Sequence, residues 1–333
     1  MSSLRFLPWA RSALISARVP QPTKYSRRIH QIVLFVPWMV SLLLNGAAPL
    51  SAQDSAATRI VMLGTGNPNP DPERSGPALA VVVNGTAYLV DAGPGVMRRA
   101  AQAARNGIGA LSASRIGIVF LTHLHSDHTV GLPDVIHTGW VADRERPLRL
   151  IGPPGTAAMA EHLTEAYRAD IENRLHGLQP HTAEGWRVEA TDVRGGEVYR
   201  DSNVTVTAIP VHHDGWEVAL GYRFTTRNRV IVISGDTRPV DAIAAACHGC
   251  DVLVHEVYSV KAFLTRPPEW QRYHADAHTS ATELAALATK AQPKLLLLTH
   301  LMLWGAATVD DLLGEIRAGY AGPVVAARDL GIY

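Results

Sequence analysis

The chain has 333 residues, 47% hydrophobic and 18% charged, with a formal net charge of +1. That content supports a large packed core and excludes disorder, collagen and coiled coil. Residues 1–52 hold six basic residues and no acid, which leaves 25 basic against 30 acidic residues, a formal −5, in 53–333. The acidic balance argues against non-specific nucleic-acid binding, which rests on clustered Lys and Arg.

In chain order, the first feature is the apolar run Ile32–Leu44, interrupted only by Pro37 and Ser41. It follows the basic stretch and precedes small residues ending at Ala52. Basic, apolar and small segments in that order read as a secretory signal peptide, with residues 1–52 removed and 53–333 as the folded domain. An uncleaved membrane anchor is the alternative, although the run is short for a span. Either reading places the folded part in an extracytoplasmic, periplasmic or secreted setting, with any membrane contact confined to the N-terminal segment. Beyond it no uninterrupted apolar stretch is long enough for a further span, so a multi-span membrane protein is excluded.

From Arg59 onward, apolar runs alternate with helical patterns. Strands are expected at Ile60–Leu63, Leu79–Val83, Ala87–Val90, Ile116–Leu121, Leu148–Ile151, Val204–Ile209, Leu220–Phe224, Val230–Ser234, Val252–His255 and Leu295–Thr299. Helices are expected at Gly95–Arg105, Thr156–Asp170, Pro239–Cys247, Ala281–Ala291 and Val309–Arg317. Thr279-Ser280 followed by Glu283 reads as a helix N-terminal cap. No linker divides the mature chain, so one α/β domain with a mixed sheet system is expected. The loop Gly64–Pro70 lacks the spacing of a P-loop or dinucleotide fingerprint, and its glycines suit a sharp turn at the mouth of a site. Cys247 and Cys250 have no second pair to complete a zinc site, and read as a local disulfide or two packed thiols.

The sharpest signal is Thr122-His123-Leu124-His125-Ser126-Asp127-His128, directly after an apolar strand. On a turn leaving a strand, His123 and His125 can face one metal while Asp127 and His128 face a second. Imidazole and carboxylate donors suit zinc or a similar first-row ion. Further ligands are available at other strand ends: His212 and His213, Asp236 in Gly235-Asp236-Thr237, and His300.

This motif resembles the HxHxDH signature of the metallo-β-lactamase superfamily. Gly235-Asp236-Thr237, His255-Glu256, His278-Thr279-Ser280 and Leu298-Thr299-His300 resemble its ribonuclease Z-like branch. The likeness runs from about Arg59 to Leu303 and implies an α/β fold, an αββα sandwich with a di-metal site at one edge. It implies His123, His125 and His213 on the first metal, Asp127, His128 and His300 on the second, and Asp236 bridging them. His213 is preferred to His212 because of its place after Pro210 and before Gly221-Tyr222. Asp91 would orient a histidine ligand. The cofactor implied is two divalent ions, zinc by preference, holding a bridging hydroxide. Asp127, His278 and Glu256 form the implied catalytic set, His278 as the general acid and Glu256 orienting it.

Trp140, Trp216, Trp270, Tyr273 and Trp304 lie near these motifs and are candidate pocket walls. The patternless stretch Tyr258–Ala277 is a candidate lid. Only ten residues, Thr225–Ser234, separate Phe224 from Gly235, so the protruding RNA-clamping arm of bacterial ribonuclease Z is absent. With the acidic balance and the export signal, this points to an exported hydrolase of a small-molecule ester, with no nucleic acid as partner. A phosphodiester is the leading substrate, and an aryl sulfate or lactone the alternative. A catalytically silent metal-dependent binding module is the alternative of another class. Family members often form homodimers.

Overall fold

Residues 58–333 are described by a computed structural model. The proposed signal segment lies outside them. Among the described residues, no helix is long and apolar enough to cross a membrane.

Two mixed sheets stack face to face. The first takes its strands in chain order: β1 (Arg59–Gly64), β2 (Ala78–Val83), β3 (Thr86–Val90), β4 (Ile118–Phe120), β5 (Leu148–Gly152) and β6 (Val188–Asp192). The second contains β7 (Gly196–Arg200), β8 (Val204–Val211), β9 (Ala219–Thr226), β10 (Val230–Ile233), β11 (Val252–Tyr258), β12 (Leu296–Met302) and β13 (Val324–Ala326). Each sheet has an antiparallel part and a parallel part: β1 to β3 pair antiparallel and β3 to β6 parallel. Likewise β7 to β10 pair antiparallel and β10 to β13 parallel.

Helices cover both outer faces. The first sheet is followed through by α1 (Val96–Arg105), α2 (Ser126–Thr129), α3 (Leu132–Val141), α4 (Thr156–Ala166) and α5 (Arg168–His176). The second carries α6 (Asp241–Cys247), α7 (Val260–Phe263), α8 (Pro268–Ala277), α9 (Ala281–Ala291) and α10 (Val309–Arg317). The expected cap on α9 is a full capping box between Ser280 and Glu283. Cys247 and Cys250 form a disulfide at the end of α6.

Three apolar layers follow from this stacking. In β1, Ile60 and Met62 point between the sheets, and Val61 and Leu63 point to the helices. Both faces are therefore dry, which is why the strand reads as an unbroken apolar run rather than an alternation. Phe120 anchors the middle layer with edge-on contacts to Tyr199, Tyr222 and Phe224 at 5.5 to 5.9 Å.

Several expectations are corrected. The single helix expected over Thr156–Asp170 breaks at Tyr167 into α4 and α5. The strand expected over Ile116–Leu121 is regular only over Ile118–Phe120. The stretch Tyr258–Ala277 is not patternless: it holds α7 and α8, the latter with Pro268 in its first turn, where a missing N–H costs nothing. Strands β6, β7 and β13 and helices α2 and α3 go beyond the expected elements.

Candidate functional site

The carboxyl ends of the parallel strands converge where the two sheets meet, the usual place for a site in such sheets. Leaving β4, the chain delivers His123, His125, Asp127 and His128 as it enters α2. His213 follows β8, Asp236 follows β10, and Glu256 lies within β11. His300 does not follow its strand as expected, because β12 continues to Met302. It is instead the extra residue of a bulge opposite Glu256–Val257, with φ of 47°. Bulges re-aim a side chain in this way next to active sites. Gly235, at φ of 62°, turns the chain directly under Leu220 and Thr122, where a Cβ would lie 2.7 Å from the Leu220 carbonyl oxygen.

The expected residues come together in two adjoining groups. His125 Nδ1 lies 3.0 Å from His123 Nε2 and 3.1 Å from His213 Nε2. Three imidazole nitrogens at that separation match a shared cation. In the second group His300 Nε2 is 3.3 Å from a carboxylate oxygen of both Asp127 and Asp236, and His128 Nε2 is 3.5 Å from each. Asp236 also groups with His123 and with His213, so it stands between the two clusters. His128 Nε2 is buried without a hydrogen-bond partner, as a nitrogen reserved for a metal would be.

The surrounding hydrogen bonds fix which ring nitrogen faces inward. Asp91, itself at φ of 61°, accepts from His128 Nδ1 at 2.8 Å, from the Thr122 amide at 2.8 Å and from Thr122 Oγ1 at 2.9 Å. Thr122 Oγ1 in turn takes the His123 Nδ1 proton at 3.0 Å. His213 Nδ1 donates to the Ala277 carbonyl at 2.8 Å. His123, His128 and His213 thus all present Nε2 to the cluster. His125 turns its Nδ1 toward the other two rings, and its Nε2 lies 3.2 Å from the Trp216 indole nitrogen. Thr122, Ala277 and Trp216 were not assigned these roles from sequence; a backbone carbonyl acceptor leaves no trace there.

Electrostatics divide the cluster. Burial opposes charge on His128, but Asp236 and Asp91 outweigh it and hold its pKa well above the usual range. For His123, burial and the neighbouring His128 act together and push the pKa well down. Asp236 is held well below the carboxylate range because His300 and His128 overcome its burial. Burial, then the charge of Asp236, raises Glu256 far above that range.

His278 stands at the edge of this group, 4% exposed, its Nδ1 3.9 Å from Asp236 and 3.5 Å from Glu256. Burial brings its pKa down to about 4. Glu256 makes no close hydrogen bond to His278. Its Oε1 accepts instead from the amides of Thr279 at 2.8 Å and Thr237 at 3.4 Å. It therefore ties together the two loops that carry His278 and Asp236. His212, the rejected alternative, is half-exposed and faces Asp276 at 3.4 Å.

A cleft of about 630 Å³ opens beside Asp127, lined by Asn67, Asn69, Arg74, Ser126 and Val130 among others. The glycine loop after β1 does border the site, but for a different reason than expected. A Cβ on Gly64 or Gly66 would strike the carbonyls of Gly76 or Ser75, so the glycines permit close approach of the two limbs. Asp329 pins both limbs, accepting from the amides of Thr65 at 3.0 Å and Ser75 at 2.8 Å. Trp140 is not a pocket wall: it is buried and donates to the Thr182 carbonyl.

Comparison with known proteins agrees with this geometry. Residues 86–301 match the family described as "Beta-lactamase superfamily domain". The chain is 35% identical over 273 residues to ribonuclease Z of Mycobacterium bovis (strain BCG / Pasteur 1173P2), covering 78% of this chain and 95% of that relative. The fold is shared with the metallo-beta-lactamase fold protein YhfI from Bacillus subtilis, at a TM-score of 0.63 and 18% identity, over 83% of this chain and 98% of that one. It is shared too with the short form of human tRNase Z, at a TM-score of 0.59 and 22% identity, over the same shares of the two chains. The chain belongs to the metallo-β-lactamase superfamily, in its ribonuclease Z-like branch. It is a metal-dependent hydrolase of the phosphodiesterase type.

The expectation of a small-molecule ester with no nucleic-acid partner is corrected by these relatives, which are named for RNA. The β9–β10 connection is indeed a tight turn at Arg227–Arg229, without an arm. Yet the likeness extends through 95% of the M. bovis protein, so a missing arm is no ground for separating this chain from RNA. Nor does the formal charge decide the matter: it averages over the chain, whereas a strand meets only the surface around the cleft.

Proposed function

We propose that the protein hydrolyses a phosphodiester bond in RNA. The observation that carries this is the pair of adjoining donor groups joined through Asp236, with His278 beside them. His123, His125 and His213 would hold one divalent ion and Asp127, His128 and His300 the other, with Asp236 shared; zinc suits the donor set. Two such ions, when bound, polarise a phosphoryl oxygen and make an ionised water available near neutral pH. Asp91 and Thr122 keep the histidine rings in coordinating orientation, and Asp127 faces the cleft. His278, neutral in the free site, would take up a proton beside the bound phosphate's negative charge and pass it to the departing oxygen, and Glu256 holds its loop in register with that of Asp236. The cleft beside Asp127 gives the phosphate an entry.

The test is cleavage of a transfer-RNA precursor and of an unstructured oligoribonucleotide, analysed for defined products. Discrete products that disappear on chelation and return with zinc support the reading. Hydrolysis of neither RNA by the metal-loaded protein rejects it. We also infer an extracytoplasmic location, supported by the composition of residues 1–52 and the Cys247–Cys250 disulfide. Fractionation of cells carrying the tagged full chain tests it, and recovery in the cytoplasm alone refutes it.

A further inference from the structure

The segment after β11 carries side chains that hydrolysis does not use. Helix α8, the turn before it and the residues after β12 gather Arg266, Trp270, Tyr273, His274 and Trp304. Two ring-to-ring steps lead out from His278: 6.0 Å to Tyr273, then 5.9 Å from Tyr273 to Trp270, both edge-on. Behind them His274 stacks on Trp270 at 5.6 Å and packs against Trp304 at 4.2 Å. The Arg266 guanidinium lies 5.0 Å from the Trp270 ring centre and 5.2 Å from that of Trp304. Trp270 is thus held in place from behind, yet remains 45% exposed, while Tyr273 is partly exposed between it and His278.

A rigidly backed aromatic row that begins at His278 suits a planar ligand. Bases splayed from a single strand stack on aromatic faces whatever their identity, and a cation behind the ring adds to the attraction. We propose that Trp270 and Tyr273 form a stacking site for the nucleobase next to the scissile phosphodiester. This rests on the RNA reading above, and deepens it by assigning where the substrate's base is held. The occupant follows from continuity: the row begins at the proposed proton donor, so what lies on it is joined to the bond being cut.

The experiment compares an oligoribonucleotide with the same oligomer carrying an abasic ribose beside the cleaved bond. The metal-loaded protein, Trp270→Leu, Trp270→Phe and Tyr273→Leu are assayed. Base–aromatic stacking predicts that the abasic change raises KM about 5- to 150-fold in the unaltered protein. Trp270→Leu is expected to raise KM similarly on the intact RNA, to lose most of the abasic penalty, and to keep its metal content. Trp270→Phe restores the penalty. An abasic penalty undiminished in both leucine variants, or absent from the unaltered protein, overturns the site while leaving RNA hydrolysis standing. If no RNA is cleaved, fluorescence titration with adenosine monophosphate against ribose 5-phosphate separates the two ideas. Base-dependent quenching lost in Trp270→Leu supports the stacking site, and equal response to both ligands overturns it.

Discussion

The ligand cluster and the α8 side of the candidate site are built to opposite rules. On one, seven proposed metal ligands sit just past strand ends, in the first turn of α2 and in the β12 bulge, and six of them are 8% exposed or less; His125 alone is partly open. Their orientations are set by Asp91, Thr122 and the Ala277 carbonyl. On the other side, α8 presents Trp270 with nearly half its surface in water. Chemistry that tolerates little displacement is fixed from both sheets, whereas contact with a varied ligand is left to exposed rings on a helix. The contrast predicts large losses from small changes on the first side and graded, KM-centred losses on the second.

The sharpest way to break the buried side is Asp236→Ala. Removing the shared carboxylate is expected to lower RNA cleavage by about 10³-fold or more and to reduce metal content, measured on one sample. Next is His278→Ala, expected to lower kcat about 10²- to 10⁴-fold with metal content unchanged. An unaltered kcat would remove His278 from proton transfer. Asp91→Asn keeps the shape but withdraws the charge behind His128. Metal affinity, read by competition with a chelator, should weaken about 10- to 100-fold.

A further effect concerns stability. His255 is fully buried and donates to the Glu256 carbonyl, and burial brings its pKa down to about 4. The unfolded chain, with an ordinary histidine near 6.5, binds this proton first as pH falls. The folded state is therefore disfavoured progressively from pH 6.5 down to 4, by up to about 3 kcal/mol, with no further loss from this group below that. Denaturant titrations across the window should show a shallower acid limb in His255→Asn than in the unaltered protein. Equal slopes would mean His255 is not neutral in the fold.

How much was legible in sequence follows the same division. Strands covered on both faces, such as β1 and β2, announce themselves as apolar runs. Strands β6 and β7 escaped notice because their sequences, Val188–Asp192 and Gly196–Arg200, are polar and largely exposed. Helix α3 was hidden by Pro133 and Gly139 within its span. The histidine motif located the site because its donors are contiguous, and strand-end position found His213 and Asp236. Nothing local shows that His300 lies in a bulge, or that Glu256 holds amides rather than His278. The first depends on the pairing of β11 with β12, and the second on the loops at Thr237 and Thr279 meeting beside β11.

The central claim is metal-dependent hydrolysis of RNA at the Asp236-centred cluster. Its most direct test is RNA cleavage and metal content measured on the same purified protein, beside Asp236→Ala. The account predicts about two divalent ions per chain and cleavage lost in the variant. Less than one ion per chain, or RNA cleavage that persists in Asp236→Ala, would contradict it.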